Sequence, residues 1–263
     1  MAKHVETVIV GATYYGIGYA CTHPNCLILE PSQVLGGNFH KGLRTASMDG
    51  LGEREADTGL GKLMKEYGVW TEYGFDVLKA APVLHEFVSQ TEGLRLLLNV
   101  KLLAVRRKDE GAESYDVEYS SNSGIHHVCC SRVLDTTVLR DTNLFGVRLL
   151  SKTLNLFTLC IGGDFEEKLK FVCPECMIEE GVNPGEKIVK FPAAPGDTIA
   201  DAYEAVVELW RLAFTEGEEK ILFMAEDFEY VCRCTDEAFS PCAWVGEDVS
   251  NPLTAFVRGM EAD

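Results

Sequence analysis

Six consecutive residues, Gly11-Ala12-Thr13-Tyr14-Tyr15-Gly16, and Glu30 further on form the pattern in this 263-residue chain with the clearest chemical use. Where a strand turns into a helix, glycines let main-chain N–H groups and the positive helix end face an anion. In the G-x-G-x-x-G form, the first glycine permits the tight turn and the second lets a diphosphate approach the backbone. The third lets helix and strand pack closely, and an acid about 20 residues on accepts hydrogen bonds from a ribose. Gly11 and Gly16 match, and Glu30 lies 19 residues after Gly11. Thr13 stands in the second glycine position. Its side chain intrudes where phosphate would lie, although its hydroxyl can bond a phosphate oxygen. Tyr14 and Tyr15 add bulk. The competing reading is an α/β packing turn that binds nothing.

Other residues carry weaker signals. Cys173-Pro174-Glu175-Cys176 is a C-x-x-C pair, with Cys232, Cys234 and Cys242 downstream. Two pairs suit tetrahedral zinc, but C-x-C is an unusual spacing for it. A redox dithiol normally opens a helix after a strand, and this pair does not. Unpaired structural thiols are the third reading, and no metal site is assigned. His126 and His127 are adjacent on a strand pattern, so they point to opposite faces. His40 is expected on an exposed loop, with proton exchange at a nearby site as the alternative. Arg44 either serves an anion or is a solvated loop cation. No G-x-S-x-G, P-loop or H-E-x-x-H pattern occurs.

These residues need elements to hold them. Residues 5–10 (VETVIV) read as a buried parallel strand, followed by a helix to about Cys21 and a second apolar run, residues 26–30 (CLILE). That is a compact βαβ unit. Residues 31–61 are glycine-rich and read as extended loops. Helices are expected over 62–67 and 75–90, with Pro82 inside the second. Strands follow at 94–100, 102–107, 115–119 and 125–130, joined by turns at 109–113 and 120–124. They form an antiparallel meander inserted between parallel strands, and 132–137 (RVLDTT) returns as another buried strand. A strand is expected at 154–161 and irregular chain over 173–197. Thr198 and Asp201 suggest a capping box opening a helix. SNPLTAFVRGM reads as a turn and a short helix.

Composition sets the outer bounds. Lys plus Arg total 24 and Asp plus Glu 41, a formal charge of −17. Such a chain repels nucleic acid and anionic lipid, so neither is an expected partner. The opening residues run straight into a strand pattern without an apolar signal core, and no apolar run approaches ~18 residues. The expectation is a cytoplasmic protein with ten reduced cysteines. The fold class read from the pattern is α/β: a Rossmann-like parallel sheet with an inserted antiparallel meander and a smaller mixed α+β C-terminal part. The expected division is 1–150, carrying the dinucleotide site, and 151–263.

ETVIVGATYYGIGYA…CLILEPSQVLGG resembles the opening of FAD-dependent oxidoreductases of the glutathione-reductase-like class. The family pattern is strand, glycine turn, helix, strand ending in Glu, then a short loop ending Gly-Gly. The resemblance implies that Gly11, Thr13 and Gly16 face the FAD pyrophosphate, Glu30 the adenosine ribose, and Gly36 and Gly37 the flavin side. It also implies a strand near Leu102 beside the adenine and an Asp-x-Thr-Gly strand end. Asp135 and Thr137 match that end, with Val138 in place of the glycine. In this setting His40 lies near a flavin and Arg44 serves its oxygens or an anionic substrate. The family's closing cofactor segment is not recognisable, and the chain is short for a full two-domain member. The resemblance spans about residues 5–140. It implies an FAD-binding oxidoreductase-like protein of unnamed substrate, with NAD as the weaker cofactor alternative. The functional rival is a catalytically degenerate relative serving as a binding or scaffold subunit of a flavoprotein complex. A protein partner or a second copy of the chain is open.

Overall fold

The computed structural model describes residues 3–46, 51–71, 74–108, 114–137, 147–160, 162–214, 219–234, 242–244 and 251–263. The chain starts as expected. β1 (Lys3–Val10) leads into α1 (Tyr14–Thr22) and β2 (Cys26–Glu30). β1 and β2 pair in parallel from Thr7↔Cys26 to Val10↔Leu29. Both are apolar on both faces because both faces are covered: Val5, Val8, Ile9 and Ile28 are fully buried.

The glycine-rich stretch is more structured than its composition suggests. It holds α2 (Asn38–Lys41), α3 (Glu53–Asp57) and the start of α4 (Gly59–Glu66). Local capping explains the last of these: Thr58 Oγ1 accepts the Gly61 N–H at 2.9 Å. A short hairpin of β3 (Trp70–Thr71) and β4 (Gly74–Phe75) precedes α5 (Val77–Gln90). Asp76 caps α5 by accepting the N–H groups of Leu78 and Lys79, and the helix runs on through Pro82.

β6 (Lys101–Arg107), β7 (Tyr115–Ser121) and β8 (Gly124–Asp135) form the expected meander, whereas β5 (Leu96–Leu98), expected to be its first strand, pairs in parallel with β2 at the other edge of the sheet. The segments 125–130 and 132–137, read as two strands, are one twelve-residue strand, since nothing at Ser131 breaks it. β8 pairs in parallel with β1 from Lys3↔Val128 to Val10↔Asp135, and antiparallel with β7 over its first half. The expected turn at 109–113 lies outside the described residues.

The second half is richer in strands than the sequence suggested. β9 (Val147–Leu159), α6 (Phe165–Val172), β10 (Met177–Glu180), β11 (Glu186–Pro192), α7 (Ile199–Ala213), β12 (Lys220–Met224) and β13 (Glu229–Cys234) follow. The chain over 173–197, expected to be irregular, supplies β10 and β11, whose apolar signal is interrupted by the turn between them. The second sheet runs β10-β11-β9-β12, and β13 also pairs with β9. All its pairs are antiparallel. The capping box is present: Asp201 accepts from the Thr198 N–H at 2.9 Å and Thr198 Oγ1 accepts from the Asp201 N–H at 3.2 Å.

The chain then returns to the first sheet. β14 (Cys242–Trp244) pairs in parallel with the end of β8, and α8 (Pro252–Glu261) packs along α1. The first sheet is therefore β5-β2-β1-β8-β7-β6, with β14 alongside β8. The α/β class with an inserted meander is borne out. From the last part of the chain, β14 thus lies beside β8 and α8 beside α1. One apolar cluster, including Ile9, Tyr14, Phe39, Leu154, Phe157 and Trp210, spans both sheets.

The α1–α8 contact depends on two glycines. A Cβ on Gly18 would run into the Phe256 carbonyl, and one on Gly259 into the Tyr15 carbonyl. Backbone cannot yield as a side chain does. Gly18→Val is expected to destabilise the fold by about 3 kcal/mol, read as a lower midpoint in urea denaturation. An unchanged midpoint would show that the helices can separate freely.

Candidate dinucleotide site

The turn between β1 and α1 has the backbone form that its glycines imply. Gly11 has φ +91°, and its N–H donates to Leu29 O at 2.9 Å. A Cβ there would lie 2.9 Å from Thr137 Cγ2, on top of its unfavourable φ. A Cβ on Gly16 would lie 2.9 Å from Gly11 O, so this glycine lets helix and strand approach closely. The end of β8 seals the turn. Thr136 Oγ1 lies 2.9 Å from both Val10 O and Gly11 O, and donates its one proton there. Asp135 is fully buried, and its Oδ1 accepts from Thr137 N–H at 3.0 Å and Thr137 Oγ1 at 2.6 Å.

Glu30 sits at the end of β2, where a ribose-binding acid belongs, and is 2 % exposed. Its Oε2 accepts the Ala12 N–H at 2.9 Å. Its Oε1 accepts from Ser32 N–H at 3.0 Å, Ser32 Oγ at 2.6 Å and Lys41 Nζ at 2.8 Å. The carboxylate is thus satisfied by the chain's own donors, one of them charged. Sequence reasoning missed Ser32 and Lys41. Ser32 lies in the loop that follows Glu30 and Lys41 at the end of α2, eleven residues on.

The hollow of the turn is filled. Thr13 is the helix N-cap, and its Oγ1 accepts the Gly16 N–H at 3.1 Å, so the hydroxyl expected on a phosphate oxygen caps α1 instead. The Tyr14 side chain is fully buried. The Gly36-Gly37 loop closes over it: both glycines have positive φ, and Gly36 N–H donates to Ala12 O at 2.8 Å. A Cβ on Gly36 would lie 2.6 Å from His40 Nδ1 and 3.0 Å from Tyr14 Cε2. Gly36 is therefore required by protein packing.

His40 is buried, at 7 % exposure, and does not sit on the exposed loop expected for it. Its Nδ1 lies 2.5 Å from Leu35 O and must carry the proton there, leaving Nε2 to accept from Tyr14 Oη at 3.0 Å. Burial first, and His85 second, pull its pKa down to about 4. The ring is neutral at pH 7, which removes proton exchange near neutrality.

The remaining candidates lie elsewhere. Arg44 reaches towards the second sheet, with Nε 3.5 Å from Glu229 Oε1 and its guanidinium 5.1 Å from the Phe39 ring centre. It is not a solvated loop cation. Leu102 packs on β6 against the cluster of Val5, Val10 and Val100. Val138 lies outside the described residues. Cys173, Cys176 and Cys232 are free thiols, and no group of three or more metal-binding side chains occurs among the described residues. Burial pushes the Cys176 thiol up to about 11, which disfavours a reactive thiolate.

The structure thus gathers Gly11, Thr13, Gly16, Glu30, Gly36, Gly37 and Asp135 around one turn. The turn and its acid fit a dinucleotide. The hollow between them, in the conformation described, does not, because Thr13, Tyr14 and the Lys41–Glu30 pair occupy its contacts.

No family model matches the sequence, and no curated protein matches it. Solved structures do share its fold. The p-nitrophenol 4-monooxygenase of Pseudomonas putida DLL-E4 is 13% identical, with TM-score 0.63, over 98% of this chain and 76% of that one. Aklavinone-11 hydroxylase, solved with FAD and aklavinone, is 13% identical with TM-score 0.60, over 99% and 62%. The anhydrotetracycline hydroxylase of Streptomyces rimosus is 14% identical with TM-score 0.59, over 98% and 60%. The chain has the fold of these aromatic hydroxylases and monooxygenases, and spans less than two thirds of the length of the latter two. The likeness covers both sheets, well beyond the residues 5–140 that carried the sequence resemblance. No helix of the described residues is long and apolar enough to cross a membrane.

Two outcomes follow from the buried groups. His40 is neutral in the folded chain down to about pH 4, whereas an unfolded histidine gains a proton near 6.5. The unfolded state therefore binds more protons across this window, and stability falls as pH drops from about 6.5 towards 4, by at most about 3 kcal/mol. His40→Gln should lose less stability than wild type over the same pH range in urea denaturation. An equal loss in the two proteins would refute the assignment. Lys41→Met should leave the buried Glu30 carboxylate without its cation and cost about 3 kcal/mol, measured by urea denaturation at pH 7.

Proposed function

We propose that the chain is an FAD-binding oxidoreductase-like protein whose dinucleotide site is closed by its own side chains until the cofactor enters. The observation that carries this reading is the βαβ turn with Gly11, Gly16 and Glu30 in register, set in the fold of FAD-dependent hydroxylases. Bound FAD would supply the redox-active isoalloxazine; the chain would supply placement and hydrogen bonds. Gly11, Thr13 and Gly16 would face the diphosphate, Glu30 the ribose, and Gly36 and Gly37 the flavin side. Entry requires three local changes. Thr13 gives up its cap on Gly16, Tyr14 leaves the hollow, and Lys41 turns from Glu30 towards solvent or phosphate. NAD is the weaker alternative, since Glu30 suits a free ribose hydroxyl in either dinucleotide. The substrate is unassigned. The hydroxylase-type likeness favours that branch of the FAD-dependent oxidoreductases over the glutathione-reductase-like one.

A second reading has its own support. The filled hollow and the internally paired Glu30 suit a relative that keeps the fold without the cofactor and works through its acidic surface. Under either reading we expect a reducing cytoplasm, in which the described cysteines stay free.

The absorbance spectrum and an FAD titration of the purified chain separate the two. Stoichiometric flavin bands, or a thermal shift with FAD larger than with NAD, support the first reading. A colourless protein with no response, in which the double variant Thr13→Gly/Tyr14→Ala gains FAD binding, supports the second. A larger shift with NAD would move the cofactor assignment to that dinucleotide.

A further inference from the structure

Cys173-Pro174-Glu175-Cys176 takes no part in the dinucleotide turn and lies between α6 and β10. Cys173 caps the end of α6, its N–H donating to Leu169 O at 2.9 Å. The Cys176 N–H then donates to Cys173 O at 3.2 Å, which closes a four-residue turn. Proline suits the second position of such a turn because its ring fixes φ. Lys170 ties the turn back to the helix, donating to Pro174 O at 3.2 Å and to Cys176 O.

The turn brings two sulfurs together. The α-carbons that begin and end a turn of this kind are less than about 7 Å apart. A disulfide spans about 4.4–6.8 Å between α-carbons. The side chains also face each other, since the two thiols are hydrogen-bonded. Cys129 and Cys130, adjacent on β8, point to opposite faces of the strand and cannot do the same. Exposure separates the two members of the turn. Cys176 is fully buried, whereas Cys173 is partly exposed. A reagent from solvent therefore meets Cys173 first. Burial pushes the Cys176 thiol up to about 11, so Cys176 is not the group that opens a reaction.

We propose that Cys173 and Cys176 form a thiol–disulfide exchange site, which closes reversibly into a bond when a small disulfide oxidant such as oxidised glutathione is in excess. The Cys173 thiolate attacks one sulfur of oxidised glutathione. That S–S bond breaks, one glutathione leaves as its thiolate, and Cys173 carries the other as a mixed disulfide. Cys176 gives its proton to water and attacks the Cys173 sulfur, expelling the second glutathione. Two protein thiols are oxidised, and the glutathione disulfide is reduced to two thiols. The second step relies on closeness in place of ready ionisation. A pair that opens a helix has its thiolate favoured by the positive helix end. This pair closes α6 and lacks that help, which suits a slow response to oxidant and not a rapid catalyst. The bond staples the end of α6 to the start of β10, the outermost strand in the order β10-β11-β9-β12. In a reducing compartment the pair rests as thiols.

The test is incubation of the whole reduced chain with oxidised glutathione, then acid quenching, alkylation by N-ethylmaleimide in urea and tryptic mass spectrometry. Residues 171–187 form one tryptic peptide that carries Cys173 and Cys176 and no other cysteine. This peptide is expected to lose two hydrogens and take up no maleimide, and dithiothreitol should restore both alkylation sites. Cys176→Ser should stop at the mixed disulfide, with one glutathione on the peptide. Cys173→Ser should leave Cys176 without glutathione. Pro174→Gly keeps both thiols but frees the turn, and should slow closing by about fivefold or more. Circular dichroism checks that each variant is folded. A wild-type peptide that keeps both thiols open to alkylation overturns the proposal, as does one glutathione on each cysteine. Glutathione on Cys176 in the folded Cys173→Ser chain overturns it too, and so does closing at the wild-type rate in Pro174→Gly. FAD binding or its absence has no bearing on these outcomes.

Discussion

The buried carboxylate of Glu30 ties the first half of the molecule together. A carboxylate at 2 % exposure is tolerable only with donors around it, and it draws them from three directions. Ala12 belongs to the glycine turn, Ser32 to the loop after β2, and Lys41 to α2. Each bond fixes a segment that would otherwise be free. The turn is held against β2, the loop is folded back, and α2 is anchored beside the sheet. From there the Gly36-Gly37 loop lies over Tyr14, and Tyr14 meets His40. The closed state of the hollow follows from satisfying one charge.

This arrangement gives the fold two uses for the same residues. Gly11 and Gly16 provide the close approach of helix and strand that a dinucleotide requires. In this structure that closeness serves packing, with Thr136 and Thr137 against Gly11 and with Ile9 and Thr136 against Gly16. On the proposed reading, cofactor entry would compete with these intramolecular contacts, and its affinity would be reduced by the free energy of opening. Lys41 is the natural pivot. It is the most exposed member of the cluster whose role is purely electrostatic, and a phosphate offers it an equivalent partner.

The second sheet depends on the first more than its place in the chain suggests. β9 is the spine on which β11, β12 and β13 pair, and its buried face shares one apolar cluster with α1 and α2. Asn155 on β9 also binds the Gly42 carbonyl, so the segment after α2 is held from both sides. One stretch of chain, residues 36–46, thereby links the turn to the second sheet.

The βαβ unit, the meander and the capped α7 were legible in the sequence because their signals are local. β-branched runs, turn residues and a Thr-x-x-Asp box act within a few residues of each other. The candidate residues Gly11, Gly16, Glu30 and Asp135 were legible for the same reason, as one motif and one strand end. What the sequence could not supply was the partner of each buried polar group. Glu30 with Lys41, His40 with Tyr14 and Arg44 with Glu229 are chosen by how sheet, loop and helix come together. The merger of two expected strands into β8 and the return of β14 and α8 to the first sheet are likewise decisions of packing. Local pattern set the elements and the turn; only the tertiary arrangement decided that the hollow would be filled, since burial and charge pairing are properties of the assembled core.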